Sequence, residues 1–330
     1  VKLNSHKPNK NMKIKNVFAM SGILASIAGQ AFAGSIMETG LTPAPKDSAF
    51  ETVRRPISNP TLFDLALPTT NLHPIFMHHS LPDTVNTTSG NLQMGGDVQV
   101  YALQFEYAFT ERLSLVATKD GYVDINAGNS ALWSDQSGFA NLGAGLKYAF
   151  IYDPANEFVL SGSAVVELPT GNDDVFQGQG DGMVNLILSS VKMWDDFQLA
   201  GAAGARLAVS DEQSSSSFVS AHASYEVTPW FIPLVELNWH HVLTPGDGNA
   251  AFNSQAGGAV PTIATFEGSD LLNFGSAQSG QNRDLVTAAF GFRSRVSKGV
   301  DLGFAYEIPL TSEDDGIIED RVTLDLVWRF

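Results

Sequence analysis

The chain has 330 residues, 44% of them hydrophobic and only 16% charged, with no cysteine and a net charge of −16. Without cysteine there is no disulfide scaffold, thiol nucleophile, Cys-ligated metal or lipid-modified N-terminus. So acidic a chain, with no basic run, is a poor partner for nucleic acid or an anionic lipid face.

Lys13 and Lys15 precede an apolar run from Val17 to Ala28, and Ala31-Phe32-Ala33 forms a small-x-small cleavage site before Gly34. Residues 1–33 therefore read as an export signal that is removed. The run is far short of the roughly 20 apolar residues a spanning helix needs, and no later stretch comes closer. Loss of its five lysines takes the net charge to −21 for residues 34–330. Residues 34–70 carry Pro43, Pro45, Pro56, Pro60 and Pro68, a spacing that defeats regular helix or strand. This segment is either a periplasmic tail or a plug tucked into the domain that follows, the tail being the plainer choice.

From Asn71 to Phe330 segments of about ten residues alternate apolar and polar positions, the signature of barrel strands. Strands are predicted near 71–82, 97–110, 112–124, 138–150, 157–168, 183–194, 197–209, 217–227, 230–243, 284–296, 300–310 and 320–330. Short turns such as Thr110-Glu111-Arg112 and Trp194-Asp195-Asp196 alternate with long polar links, the longest being 244–283. Short periplasmic turns and long external loops describe an outer-membrane barrel, and an even strand number leaves both termini periplasmic. The expected fold is all-β, a transmembrane antiparallel up-and-down β-barrel of about twelve strands over 71–330.

In the last strand Val322, Leu324, Leu326, Trp328 and Phe330 share one face. Leu326, Trp328 and the terminal Phe330 resemble the signal by which barrel-assembly machinery recognises its substrates. Tyr107, Phe109, Tyr148, Phe150, Trp194, Tyr225, Trp230 and Phe231 lie beside the short turns, where rings sit at a membrane interface.

If the apolar residues face lipid, the same alternation directs Gln104, Glu106, Asn141, Lys147, Glu167, Arg206, Glu236, Asn238 and His240 inward. Arg293, Arg295, Asp301, Glu307, Asp325 and Arg329 join them. Such mixed charge either interlocks to fill a narrow lumen or rims a wet path that selects solutes. Turning an Arg or Lys of this set toward lipid costs on the order of 2–4 kcal/mol at mid-membrane, which fixes the register. The loop 244–283 contains Gly257-Gly258, an apolar run from Val260 to Phe266, and Leu271-Leu272-Asn273-Phe274. It either folds into the barrel mouth or packs on its neighbours outside.

Other chemistry is sparse. His78 with His79 and His240 with His241 are sequence neighbours on strands, so neither pair can chelate one ion. The acidic clusters at 172–174 and 313–315 lack a calcium-loop spacing, and Gly178, Gly180 and Gly182 lack a strand-to-helix context for a phosphate cradle. No metal, cofactor or enzymatic activity is expected.

Val165-Val166-Glu167-Leu168-Pro169-Thr170-Gly171-Asn172, a strand running into Pro-Thr-Gly at an external loop, resembles the corresponding motif of outer-membrane proteins associated with meta-pathway phenol degradation. Ala117-Thr118-Lys119-Asp120-Gly121-Tyr122, Phe292-Arg293-Ser294-Arg295 and Trp328-Arg329-Phe330 are similar to exported barrels of planctomycete-type bacteria. The resemblance implies a barrel transporter for hydrophobic or aromatic compounds and transfers no site residue. The resulting expectation is an outer-membrane channel or facilitated-diffusion barrel for small solutes, its partners being membrane lipid, the assembly machinery and the solute. A plugged structural barrel and a barrel lipid hydrolase built on His240 are the alternatives.

Overall fold

The computed structural model describes residues 48–132, 134–249 and 259–330. The expected export signal, the start of the Pro-rich segment and the Gly257-Gly258 pair lie outside these.

Twelve antiparallel staves close into a barrel. β1 (Asn71–Ser80) pairs with β2 (Gly96–Ala108) on one side and with the last strand, β14 (Asp320–Arg329), on the other, which leaves no open edge. The third stave is β3 (Leu113–Lys119) followed by β4 (Tyr122–Ala127), and the fourth is β5 (Gln136–Phe139) followed by β6 (Leu142–Asp153). The rest run in sequence: β7 (Phe158–Leu168), β8 (Met183–Trp194), β9 (Phe197–Ala208), β10 (Ser215–Tyr225), β11 (Ile232–Thr244), β12 (Asp284–Ser297) and β13 (Val300–Pro309).

Two staves expected to be continuous are broken, and side chains explain both interruptions. At the first, Asp120 Oδ1 accepts from the backbone N–H of Leu103 at 2.9 Å, standing in for a ladder carbonyl. Gly121 beside it has φ +124, and a Cβ there would lie 2.6 Å from the Tyr101 carbonyl oxygen, so no larger residue fits. At the second, Asn172 Oδ1 accepts from Phe139 N at 2.8 Å, and Ala140 N donates to Gly121 O at 2.9 Å.

Short connections gather at one end and long ones at the other. Asp195, in the left-handed region at φ +51, turns the two-residue hairpin between β8 and β9. The outer face carries half-exposed Leu103, Phe105, Leu186, Leu188, Leu237 and Phe290, while Tyr148, Phe150, Trp194, Tyr225, Trp230 and Trp328 form an outward belt at the short-turn end. In β14 the alternation is complete: Leu324 and Trp328 stand outside, and Arg321, Thr323, Asp325 and Arg329 are buried inside.

Residues 53–67, for which a tail was the plainer expectation, run inside this wall and are almost continuously buried. Phe63, Leu65, Ala66 and Leu67 pack on the inward apolar patch of Ala149, Val159, Ile187, Val191, Ala202 and Phe218. Ile57 packs on Leu234, Ala289 and Ala305. The prolines keep the segment out of regular structure, so its backbone amides and carbonyls are free to meet the inward charges of the wall.

Candidate functional site in the barrel lumen

The inward candidates read from the sequence are buried or half-buried, and the structure places each against a partner from the wall, from residues 53–67 or from the long loop, with one exception. At the short-turn end Arg329 is paired with Asp301 at 2.5 Å and donates to Val53 O at 3.0 Å. Arg295 forms a forked pair with Glu226 at 2.9 and 3.1 Å. Gln198 acts like a piece of strand toward the segment: Arg54 N donates to its Oε1 at 2.8 Å, and its Nε2 donates to Arg54 O at 2.7 Å.

One level deeper, Arg293 grips Asp325 with two bonds of 3.0 and 2.7 Å and donates from Nε to Arg55 O at 2.6 Å. His73 meets the same aspartate at 2.7 Å. Glu236 receives three donors from the segment, Ile57 N at 2.9 Å, Ser58 N at 2.7 Å and Ser58 Oγ at 2.5 Å, with His222 at 2.7 Å. Across the lumen Lys147 holds Glu106 at 3.0 Å, Asp64 at 2.5 Å and the Leu65 carbonyl at 2.7 Å. Arg55 also reaches Asp64, at 2.6 Å. Burial pushes the Asp64 carboxyl up, but Lys147 and Arg55 outweigh that and hold it below its ordinary range.

Toward the long-loop end, Glu307 accepts from Asn238 at 3.1 Å and Thr287 at 2.5 Å, and Asn238 donates to Ser58 Oγ at 3.0 Å. Arg321 stands above them with bonds to Asp270 of the long loop and to Ser58 O. Glu167 pairs with Lys119, bonds Asn141 at 2.9 Å and lies 3.5 Å from Arg206. The exception is His240, buried and inward, with no serine hydroxyl in hydrogen-bond reach among the described residues. Its neighbour His241 points outward and bonds Asp284 at 2.8 Å.

The long loop turns into the mouth. Phe266, Leu272 and Phe274 are buried against Val98, Val123, Phe176 and Ile317 in one apolar cluster. Glu267 is half-buried beside it and accepts from Ser214 Oγ, Ser276 N and Phe274 N at 2.6, 2.6 and 2.8 Å. Burial pushes its carboxyl above the ordinary range, and these donors only partly offset it.

Lys147, Glu236 and Arg293 are 0% exposed and Arg321 is 2% exposed. A water-filled pore running past them would leave them accessible, so the lumen is closed at their level. Cavities remain near the long-loop end. An apolar one of about 40 Å³ is bounded by Pro60, Ile75, Val98, Val100, Leu271 and Leu272. A polar one of about 30 Å³ is bounded by Arg206, His240, Glu267 and Asn273. Each has room for about two or three waters. Among the described residues, no group of three or more His, Asp or Glu has a metal-binding arrangement.

Sequence reasoning missed Arg321, His73, His222, Asp64, Arg55 and Asp270. Arg321 shares strand parity with Asp325, so the alternation could have found it, and His73 and His222 stand directly opposite Gln104 and Glu236 on neighbouring strands. The last three sit on irregular chain, where no periodicity reports a side chain's direction.

No known family profile matches the chain, and no curated protein matches it. Its fold is similar to that of the COG4313 outer membrane channel from Pseudomonas putida F1, at 18% identity and TM-score 0.55, covering 79% of this chain and 96% of that one. The NanC porin is more distant, at 5% identity and TM-score 0.44 with 79% and 100% covered. The KdgM porin stands at 9% and 0.40 with 78% and 99% covered.

Proposed function

We propose that this chain is an outer-membrane channel for the facilitated diffusion of small hydrophobic or aromatic solutes, in a closed state. The observation that carries the reading is what closes it. The occluding parts are not wall strands but residues 53–67, a plug, and residues 259–283, a lid, both able to move while the twelve-stave ladder stays intact. The apolar cavity where they meet favours an apolar solute. The similarity to a solved outer-membrane channel supports the same reading at the level of fold. Residues 1–33 would direct export, and Leu326, Trp328 and Phe330 would be read by the assembly machinery. Outward aromatics at the short-turn end would seat the barrel in the membrane.

A second reading, a structural barrel with a permanently filled lumen, is favoured by the closed pairing of Arg293 with Asp325 and Lys147 with Glu106. Among the described residues, no serine hydroxyl bonds His240 to favour a hydrolase. The deciding experiment is single-channel conductance in a planar bilayer of refolded residues 34–330, intact and lacking 48–67. Discrete steps that grow on deletion support the channel. Silence in both, from barrels shown to be folded by heat-modifiable gel mobility, supports the structural reading.

A further inference from the structure

We propose that plug and lid form one gate, coupled through Arg321, and that an uncharged apolar solute opens it by binding in the cavity between them; this rests on reading the lumen as a solute path. Both moving parts line that cavity, the plug with Pro60 and Thr61 and the lid with Leu271 and Leu272, against Ile75 and Val98 of the wall. The same two parts meet at one guanidinium. Arg321 holds Asp270 of the lid through two bonds and donates to Ser58 O of the plug at 3.2 Å. Asp270 is the residue before Leu271, and Ser58 lies two before Pro60, so displacing the cavity lining displaces both partners of Arg321.

The class of solute follows from the charged and amide side chains around the cavity, which are already bonded, while the buried Thr118 hydroxyl there has no partner among the described residues. Gln104 bonds His73 and the carbonyls of Pro60 and Thr118. Gln177 accepts from Asn141 N and donates to Leu271 O. Asp270 is held by Arg321, and Lys119 by Glu167. A charged or sugar-like solute would have to break these bonds, whereas an arene would meet Ile75, Met77, Val98, Val100 and Leu272. The cavity of about 40 Å³ is well below the roughly 150 Å³ of an apolar cavity that takes benzene. Occupation therefore requires the lid or the plug to move apart, and that requirement is the coupling.

The chain has no cysteine, so Ala66→Cys, in the plug and 1% exposed, gives a single reporter thiol. Its modification by a membrane-impermeant maleimide is followed in refolded protein, with toluene as the probe solute and with Asp270→Ala in the lid. Each should raise the labelling rate about tenfold, within the usual range of coupling between sites, and toluene should add little once Asp270 is gone. Leu67→Cys is the reporter if Ala66→Cys does not fold. Labelling unmoved by both toluene and Asp270→Ala in folded protein overturns the coupling, even if the barrel conducts. Labelling that responds in a barrel that never conducts upholds the coupling and rejects the channel.

Discussion

Arg321 and Asp270 form a two-pronged ion pair at 2.9 and 3.1 Å, one on the last strand and the other on a loop 51 residues earlier. Both are buried, so removing either partner strands a charge away from water. Arg321→Gln should destabilise the folded barrel by about 3–5 kcal/mol, read as a lowered urea midpoint. Asp270→Asn, which keeps an acceptor oxygen, should cost less. Equal midpoints for wild type and Arg321→Gln would show that the pair contributes nothing net.

Glu236 is the main anchor of the plug, since three of its four partners, Ile57 N, Ser58 N and Ser58 Oγ, belong to the plug and the fourth, His222, to the wall. Glu236→Gln puts an amide nitrogen where an acceptor was, and hydrogen bonds to a charged group are worth about 1.5–3 kcal/mol. Proteolysis of residues 48–67 should become faster while heat-modifiable mobility of the barrel is unchanged. Loss of that mobility would instead place Glu236 among the residues the wall itself requires.

Gly303 lies against side chains of both wall and plug. A Cβ there would stand 2.1 Å from Asp325 Oδ1, 2.8 Å from Ile57 Cδ1 and 2.9 Å from Arg293 Nη1. Gly303→Ala must therefore push the Arg293–Asp325 pair or Ile57 aside, at about 1–3 kcal/mol for overpacking. The expected result is a higher rate of maleimide labelling at Ala66→Cys. An unchanged rate would mean that the clash relaxes within the wall.

The lid should respond to pH in two opposite senses. Burial raises Glu267 above its ordinary 4.5, so its contribution to lid stability is full below that value and declines as pH rises through the folded value. Asp270 is depressed: burial would raise it, but Arg321 dominates, so its contribution is present above the ordinary 3.8 and is lost only as pH falls well below. Amide protection of residues 264–276 should thus be greatest in weakly acidic solution and decline toward neutrality. Glu267→Gln should remove the decline, and a decline that persists in that variant would assign it to another group.

Strand parity was legible because the wall has one apolar face, and a slip of one residue would expose Lys147 or Arg293 to the outside. That constraint reached all the inward candidates from Glu106 to Arg329. It did not reveal the interruptions at Asp120 and Phe139, because those replace ladder bonds with side chains from residues 17 and 33 positions away. Nor did it reveal the plug. Pro56 and Pro60 argue against a strand equally well in a tail and in a lumen, and what distinguishes the two is the set of wall donors and acceptors around Arg54, Arg55 and Ser58, which no local pattern carries.

Only residues 68–70 separate the plug from β1, and Thr70 is itself tied at the rim, accepting from Phe330 N at 3.1 Å and from Ala108 N at 3.1 Å. A displaced plug therefore stays beside its own seat, at an effective concentration on the order of millimolar for so short a tether. Reseating is then a first-order event within one molecule, independent of protein concentration, and the duration of each opening becomes a property of the chain alone.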